Sequence, residues 1–205
     1  MEFKIEAINN KTNSREVIYV DSSHKEALAD FSSAFYNIFK EVYEEGRQVI
    51  VLCIGTDRVT GDSLGPMIGY KLDQYKFGIF GNIGIYGTLN EPVHAKNLKF
   101  TIDMIYEKYD NPLVIAIDAS LGSICSIGHV TVGKGPLKPG AGVNKKLPIV
   151  GDMFVTGIVN ISVGFSSIQN TRLGLVMQMA DIIFYGMVNA LSRIKRQKNI
   201  DLEVV

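Results

Sequence analysis

The chain has 205 residues, enough for one domain with a sizeable hydrophobic core. Its 21 basic residues balance 21 acidic residues, which excludes the strong positive charge of proteins that bind nucleic acid or anionic membranes. The two cysteines, Cys53 and Cys125, are too few and too far apart for a metal cluster or a disulfide framework. We therefore expect a cytoplasmic protein, without a signal segment or a membrane span, that acts on a small molecule, a peptide or a protein.

The first 47 residues predict two short strands and a helix. The runs FKIEAI and REVIYV, separated by the turn-prone NNKTNS, are typical of a hairpin or of strands added to a sheet edge. A helix is predicted from about 25 to 44, with Ser22 and Ser23 as candidate N-caps and Gly46 beyond its end. Its apolar face should cover the sheet.

From residue 48 onward, strands alternate with helices. Strands are predicted at 48–54, 78–86, 112–118, 128–132 and 154–161, and helices from about 64, from a cap at Asn90, and over 169–196. The run PLVIAIDAS is apolar almost throughout, as in a central parallel strand that is covered on both faces. The pattern predicts a single α/β domain over 1–205, a three-layer α/β/α sandwich with a mainly parallel, twisted sheet.

Acidic residues follow three of these predicted strands. Asp57 and Asp62 lie in the loop after the first, Glu91 follows the second, and Asp118 ends the third. Parallel neighbouring strands would bring these carboxylates to one edge, where crowding raises pKa values or recruits a metal, and either outcome helps to activate water. Asp62 has the alternative role of a helix N-cap or turn residue, whereas a charge that ends a buried strand, as Asp118 does, needs a partner.

Two further segments have alternative interpretations. His94, beside Glu91, is a candidate base or third metal ligand, or a structural histidine. The Gly/Pro/Lys-rich segment over 134–148 is interpreted as a mobile flap over the acidic edge or as a solvated turn, and it lacks a Walker phosphate-binding pattern. Ser120 and Ser123 lack the GxSxG context of a serine nucleophile. Cys53, inside its strand, is predicted to belong to the core.

Three blocks carry a resemblance to known families: IGTDRVTGDSLGP, VIAIDASLG and GKGPLKPGAGVNKKLP. They resemble, in order and spacing, blocks of the bacterial spore germination protease and, more distantly, of the hydrogenase maturation proteases. The chain as a whole most resembles the YyaC-type family of sporulation proteins, over roughly residues 48 to 191. The resemblance implies a hydrogenase-maturation-protease-like (phosphorylase/hydrolase-like) fold and a location in the mother cell or the spore interior.

The resemblance also implies roles for particular residues. Asp62 and Asp118 match the catalytic aspartates of the germination protease, and Glu91 is a candidate assistant. In hydrogenase maturation proteases the matching acids bind nickel together with a histidine, so Asp62, Asp118 and His94 are the candidate ligands of a divalent Ni, Zn or Mn ion. In the glycine-rich block, Lys138, Gly140, Gly142 and Asn144 are the candidate substrate-binding residues. Lys138 stands where the germination protease has a histidine.

Two functions of different classes follow from these observations. The first is a sporulation-associated peptidase or other hydrolase, in which the acidic pair activates water or holds a metal for cleavage of a peptide bond in a spore protein. The second is a non-catalytic binding or assembly factor of the spore on a protease-like fold. A phosphorylase activity on a related scaffold lacks a phosphate-binding signature. The sequence leaves open whether the chain forms a homo-oligomer.

Overall fold

The computed structural model describes residues 17–75, 83–140, 147–162 and 168–203. Within these ranges the chain forms six strands, four α-helices and two single-turn 3-10 helices. The strands are β1 (Val17–Asp21), β2 (Val49–Cys53), β3 (Gly84–Tyr86), β4 (Leu113–Gly122), β5 (His129–Lys134) and β6 (Met153–Ile161). The α-helices are α1 (Ala27–Val42), α2 (Leu64–Gln74), α3 (Leu98–Lys108) and α4 (Leu173–Glu203). The 3-10 turns span Gly61–Ser63 and Ile124–Ser126.

The six strands form one sheet in the order β1-β5-β6-β4-β2-β3. Strands β3, β2, β4 and β6 are parallel, whereas β5 is antiparallel to both of its neighbours, β6 and β1. β5 is thus the one described strand that runs against the others, and it reaches β6 through the Gly/Pro/Lys-rich segment. The carboxyl ends of β2 and β4 lie side by side, as the sequence predicts.

Helices cover both faces of the sheet and complete the three layers. Helices α1, α2 and α4 pack on one face through a large cluster centred on Phe31, Phe35, Leu64, Ile68 and Ile183. The other face carries α3, whose Leu98 and Ile105 pack on Ile50, Leu52, Val114 and Ala116. We call this second side the α3 face. The predicted mainly parallel α/β/α sandwich is therefore confirmed.

Helix α4 contains a long apolar segment. Its segment Leu173–Ile194 is the one helical stretch in the described part of the chain that has the length and hydropathy of a membrane span. In the fold, 56% of its most apolar window is buried, against α1, α2 and the sheet. Burial inside the domain accounts for this apolar composition, since core helices have the same character.

Several predicted boundaries differ from the structure. The helix predicted from Asn90 begins at Leu98 instead, because Val93 forms a parallel bridge with Ile54 and so extends the sheet, and Asn97 takes the N-cap position. β4 continues to Gly122, four residues beyond the predicted end, because β6 pairs with it over that length. Of the predicted N-terminal hairpin, REVIYV supplies β1, whereas FKIEAI lies outside the described residues, as do positions 78–82 of the strand that supplies β3.

Candidate active site at the carboxyl edge of the sheet

The backbone at the end of β2 fixes the first half of the site. The Ile54 N–H donates to the Ile117 carbonyl at 2.7 Å, so the end of β2 lies beside Ile117 of β4. Asp118 is the next residue of β4. The loop then closes on itself, because the Thr56 N–H donates to the Asp62 carbonyl at 3.1 Å. This closure returns Asp62 to the strand end from which the loop departed.

Glycines allow α2 to approach the strand ends closely. Gly55 has a φ of 141°, a conformation that favours glycine, and a Cβ there would meet the Asp62 carbonyl. On α2, a Cβ at Gly65 would overlap the Ile54 carbonyl, and one at Gly69 would overlap the Gly87 carbonyl. Close packing of backbone on backbone therefore holds the start of α2, and with it Asp62, against the sheet.

Asp118 is a buried carboxyl group with a second carboxyl group nearby. It is 7% exposed, among strand residues that are apolar up to this point. Burial, followed by the like charge of Asp62, raises the pKa of Asp118 well above its usual range, and a hydrogen bond from the Ala119 backbone N–H only partly opposes the rise. Asp62 is less buried than Asp118. The two acids predicted to act together are therefore electrostatically coupled, and they occupy unequal environments.

The other acids predicted at this edge are placed differently. Glu91 is exposed, in a turn where its backbone N–H donates to the Thr88 hydroxyl at 3.1 Å. Asp57 is also exposed, in the turn between β2 and the 3-10 helix at Gly61–Ser63. The like charge that raises the pKa of Asp118 comes from Asp62. Of the predicted acids, the structure thus brings Asp62 and Asp118 together, and Glu91 stays a prediction as an assistant.

His94 lies in the turn that precedes α3. Its backbone N–H donates to the Asn97 side-chain oxygen at 2.8 Å, and its Nδ1 is buried without a hydrogen-bond partner in the described structure. The predicted metal site would require His94 beside Asp62 and Asp118. Among the described residues, no group of three or more His, Cys, Asp and Glu side chains is arranged to hold a metal ion. The metal site stays a prediction, and no chemical step below depends on it.

The Gly/Pro/Lys-rich segment leaves the sheet at its amino edge, between β5 and β6. Its two described arms pair through an antiparallel bridge between Leu137 and Val150, and Leu137, Leu147 and Val150 pack on the α3 face. Of the predicted substrate-binding residues, Lys138 is exposed and Gly140 is half-buried, whereas Gly142 and Asn144 lie outside the described residues. The described arms thus lie on the same face of the sheet as Asp118 but at its opposite, amino edge, and the flap over the acids stays a prediction.

A hydroxyl network beside Asp118 was not predicted from the sequence. Asp118 lies opposite Thr156 of β6, and Thr156 lies opposite Thr131 of β5, so the three side chains form a row on the α3 face. The hydroxyl oxygens of Thr131 and Thr156 are 2.7 Å apart, and both residues are buried. The Ser120 hydroxyl donates to the Thr156 hydroxyl at 3.3 Å and, at 3.4 Å, to the Gly157 carbonyl. We call Ser120, Thr131 and Thr156 the hydroxyl network.

Comparison with known proteins gives a family for this chain. Residues 17–186 match the family described as "Protein of unknown function (DUF1256)". The chain is also 53% identical, over 145 residues, to the uncharacterized protein YyaC of Bacillus subtilis (strain 168), an alignment that covers 69% of each chain. The family match spans the described sheet from β1 onward and includes both acids of the candidate site. The chain belongs to the DUF1256 family.

Proposed function

We propose that this protein is a peptidase-like hydrolase in which Asp62 and Asp118 activate a water molecule for attack on a peptide bond. The observation that carries the proposal is the burial of Asp118 beside the more accessible Asp62, an arrangement that raises the pKa of Asp118. Two carboxyl groups with unequal environments can share one proton, so that one acts as base while the other acts as acid. The resemblance to the germination protease supports a protein substrate, and we propose a spore protein.

The geometry suggests a separate catalytic role for each of the two carboxyl groups. Asp62, the less buried of the two, accepts a proton from water as the water oxygen bonds to the carbonyl carbon. Asp118, whose environment favours the protonated form, gives its proton to the amide nitrogen as the carbon–nitrogen bond breaks. The products are a carboxylic acid and an amine, and the pair retains one proton, now on Asp62.

The test compares single Asp→Asn variants on a mixture of natural substrates. Wild-type protein, Asp62→Asn and Asp118→Asn are incubated with a sporulating-cell lysate, and new chain termini are identified by mass spectrometry. We expect new termini with wild type and a loss of at least about 100-fold in their rate of formation with either variant. Asp57→Asn is the matched control, because Asp57 is an exposed carboxylate of the same loop, and it should cleave as wild type does. Equal cleavage by wild type, Asp62→Asn and Asp118→Asn would contradict the proposal.

A metal-dependent variant of this function is tested separately. Calorimetric titration with Ni²⁺, Zn²⁺ and Mn²⁺ should show one site that disappears in Asp118→Ala if the acids hold a metal. Among the described residues, no three His, Cys, Asp or Glu side chains are grouped so that they could hold a metal ion. We therefore expect the metal-free reaction. Cleavage that survives chelation would support the metal-free reaction, whereas loss of cleavage on chelation and its return with one of these ions would contradict it.

One observation favours the second candidate function, a binding or assembly factor. In the resemblance to the germination protease, exposed Lys138 stands in place of that protease's histidine, and a lysine differs from a histidine as an acid or base. In this case a spore protein would bind with fixed stoichiometry and without new termini. Binding that persists unchanged in Asp62→Asn and Asp118→Asn, with no cleavage by wild type, would support this function over hydrolysis.

A further inference from the structure

We infer that the hydroxyl network is a water-positioning site: Thr156 donates a hydrogen bond to a single water molecule held beside Asp118. The consequence for reaction rate rests on the proposed hydrolase function, whereas the presence of the water does not.

The register places Thr156 in the middle of the row. Asp118 is its neighbour on β4 and Thr131 its neighbour on β5, and adjacent strands of a sheet are about 4.8 Å apart. Thr156 is 8% exposed and Thr131 is 4% exposed. Hydroxyl groups that are buried this deeply are normally hydrogen-bonded, and each hydrogen atom that lacks an acceptor marks a place for an additional group.

The hydrogen count leaves one donor without an acceptor. Ser120 directs its hydrogen towards Thr156 and the Gly157 carbonyl, and one hydrogen lies between Thr131 and Thr156. The third hydrogen of the network belongs to whichever threonine accepts in that last bond, and it has no recorded acceptor within the described ranges. The negative charge of the acidic pair orients hydroxyl dipoles towards Asp118. Thr131 therefore donates to Thr156, and the third hydrogen belongs to Thr156.

A water molecule matches the hydrogen-bonding groups at this position. No direct hydrogen bond joins Thr156 to Asp118 in the described structure, although their Cα positions are paired. A buried water needs two to four polar partners, and the Thr156 O–H donor with the carboxyl groups of Asp118 and Asp62 supplies them. Such a water accepts a hydrogen bond from Thr156 and donates one to Asp62, the ionised carboxylate of the proposed reaction, which leaves its second lone pair directed at a substrate carbonyl.

The test is a set of high-resolution crystal structures of wild type, Thr156→Val and Thr156→Ser. We expect an ordered water within hydrogen-bond distance of Asp118 and residue 156 in wild type and in Thr156→Ser, which keeps the hydroxyl group, and no such water in Thr156→Val. Thr101→Val is the matched control, because Thr101 is also buried and its hydroxyl donates to the Asn97 carbonyl on α3, away from the acids. The control should retain the water.

Kinetics on a cleaved substrate give the second readout. Thr156→Val should lower kcat about 100-fold with little change in KM, while Thr156→Ser and Thr101→Val remain within a few-fold of wild type. Absence of the water from wild type, or its retention in Thr156→Val, overturns the inference even if the protein proves to be a peptidase. A wild-type protein that holds the water but cleaves nothing contradicts the hydrolase function and leaves the water site standing.

Discussion

The amino and carboxyl edges of the sheet differ in whether their buried charged groups have partners of opposite charge. At the amino edge, the Arg47 guanidinium donates to the Asn111 carbonyl at 3.0 Å, to the Pro112 carbonyl at 2.8 Å and to the Asp152 carboxylate at 3.2 Å. Asp152 in turn accepts from the Val114 N–H at 2.8 Å. At the carboxyl edge, two groups that carry the same charge when ionised lie together, and one of them is buried.

This difference separates the part of the fold that confers stability from the part that is available for chemistry. Hydrogen bonds to opposite charges compensate the cost of burying them, whereas adjacent carboxyl groups raise the free energy of the folded state and raise the pKa of one of them. Groups with shifted pKa values gather at functional sites. Removing a charged side chain should therefore destabilise the protein at the amino edge and stabilise it at the carboxyl edge.

Arg47→Ala should give the largest effect, a loss of about 3 kcal/mol in the free energy of unfolding. The side chain is 13% exposed, so its removal leaves several carbonyl groups without this donor and the Asp152 carboxylate without its opposite charge. Urea denaturation measures the loss. Lys99→Ala, which breaks the exposed Lys99–Asp103 pair on α3, is the control and should change stability by less than about 0.5 kcal/mol. Similar losses in both variants would refute the structural role given to Arg47.

Gly65→Ala should destabilise the protein by about 2 kcal/mol, because the added methyl group overlaps the Ile54 backbone and pushes α2 away from the sheet. Alanine normally favours a helix over glycine, so the sign itself is informative. Gly174→Ala on α4 is the matched control. Beyond its chain neighbours and the adjacent backbone of α4, no described atom lies within 4 Å of the added methyl group, and the substitution should stabilise by about 0.4–1 kcal/mol. Thermal denaturation measures both variants. A gain of stability in both would contradict the close approach of α2 to the sheet.

Asp118→Asn should have a smaller effect whose size depends on pH. In the folded state the pKa of Asp118 lies well above its unfolded value, so the folded state binds more protons between the two values. The contribution of Asp118 to the free energy of unfolding is fully present below its pKa in the unfolded state. It is lost as the pH rises through its pKa in the folded state. Relative to wild type, Asp118→Asn should therefore become progressively more stable as the pH rises from acid to neutral, in urea denaturation at a series of pH values.

The coupling between the acids is checked in the same series. Asp62→Asn removes the like charge and should lower the pKa of Asp118, while burial still holds it above the usual range. Carbon-13 NMR of the Asp118 carboxyl group follows this change directly. An unchanged Asp118 titration in Asp62→Asn, or a wild-type stability that rises in parallel with Asp118→Asn across the pH range, would show that the pair is not coupled.

Local sequence patterns predicted much of the fold and left Asp57 and Asp62 as alternatives for the partner of Asp118, and the family resemblance pointed to Asp62. The apolar run that ends at Asp118 identifies a central strand, and the glycine-containing loop before Leu64 places Asp62 at a strand end. The error at Asn90 has a local cause as well: Asn90 and Pro92 satisfy the rules for a helix start, but the pairing of Val93 with Ile54 takes that segment into the sheet. Capping signals are weak compared with such tertiary pairing.

The rest of the site depends on contacts between distant segments. Thr131 and Thr156 are ordinary strand residues in the sequence, and only the reversed direction of β5 and its register with β6 place them in one row with Asp118. The Arg47–Asp152 pair joins residues 105 positions apart. Correlated substitutions at these positions in an alignment could have indicated these contacts, whereas composition and periodicity could not.

The strand order also determines when the candidate site can form during synthesis of the chain. β4 lies between β2, which precedes it in the chain, and β6, which follows it after β5. A nascent chain that has emerged only as far as β4 has both carboxylates but neither Thr156 nor the strand that covers one side of Asp118. The candidate catalytic centre is therefore completed late, by the addition of β6, and a growing chain cannot carry it before most of the sheet has been made.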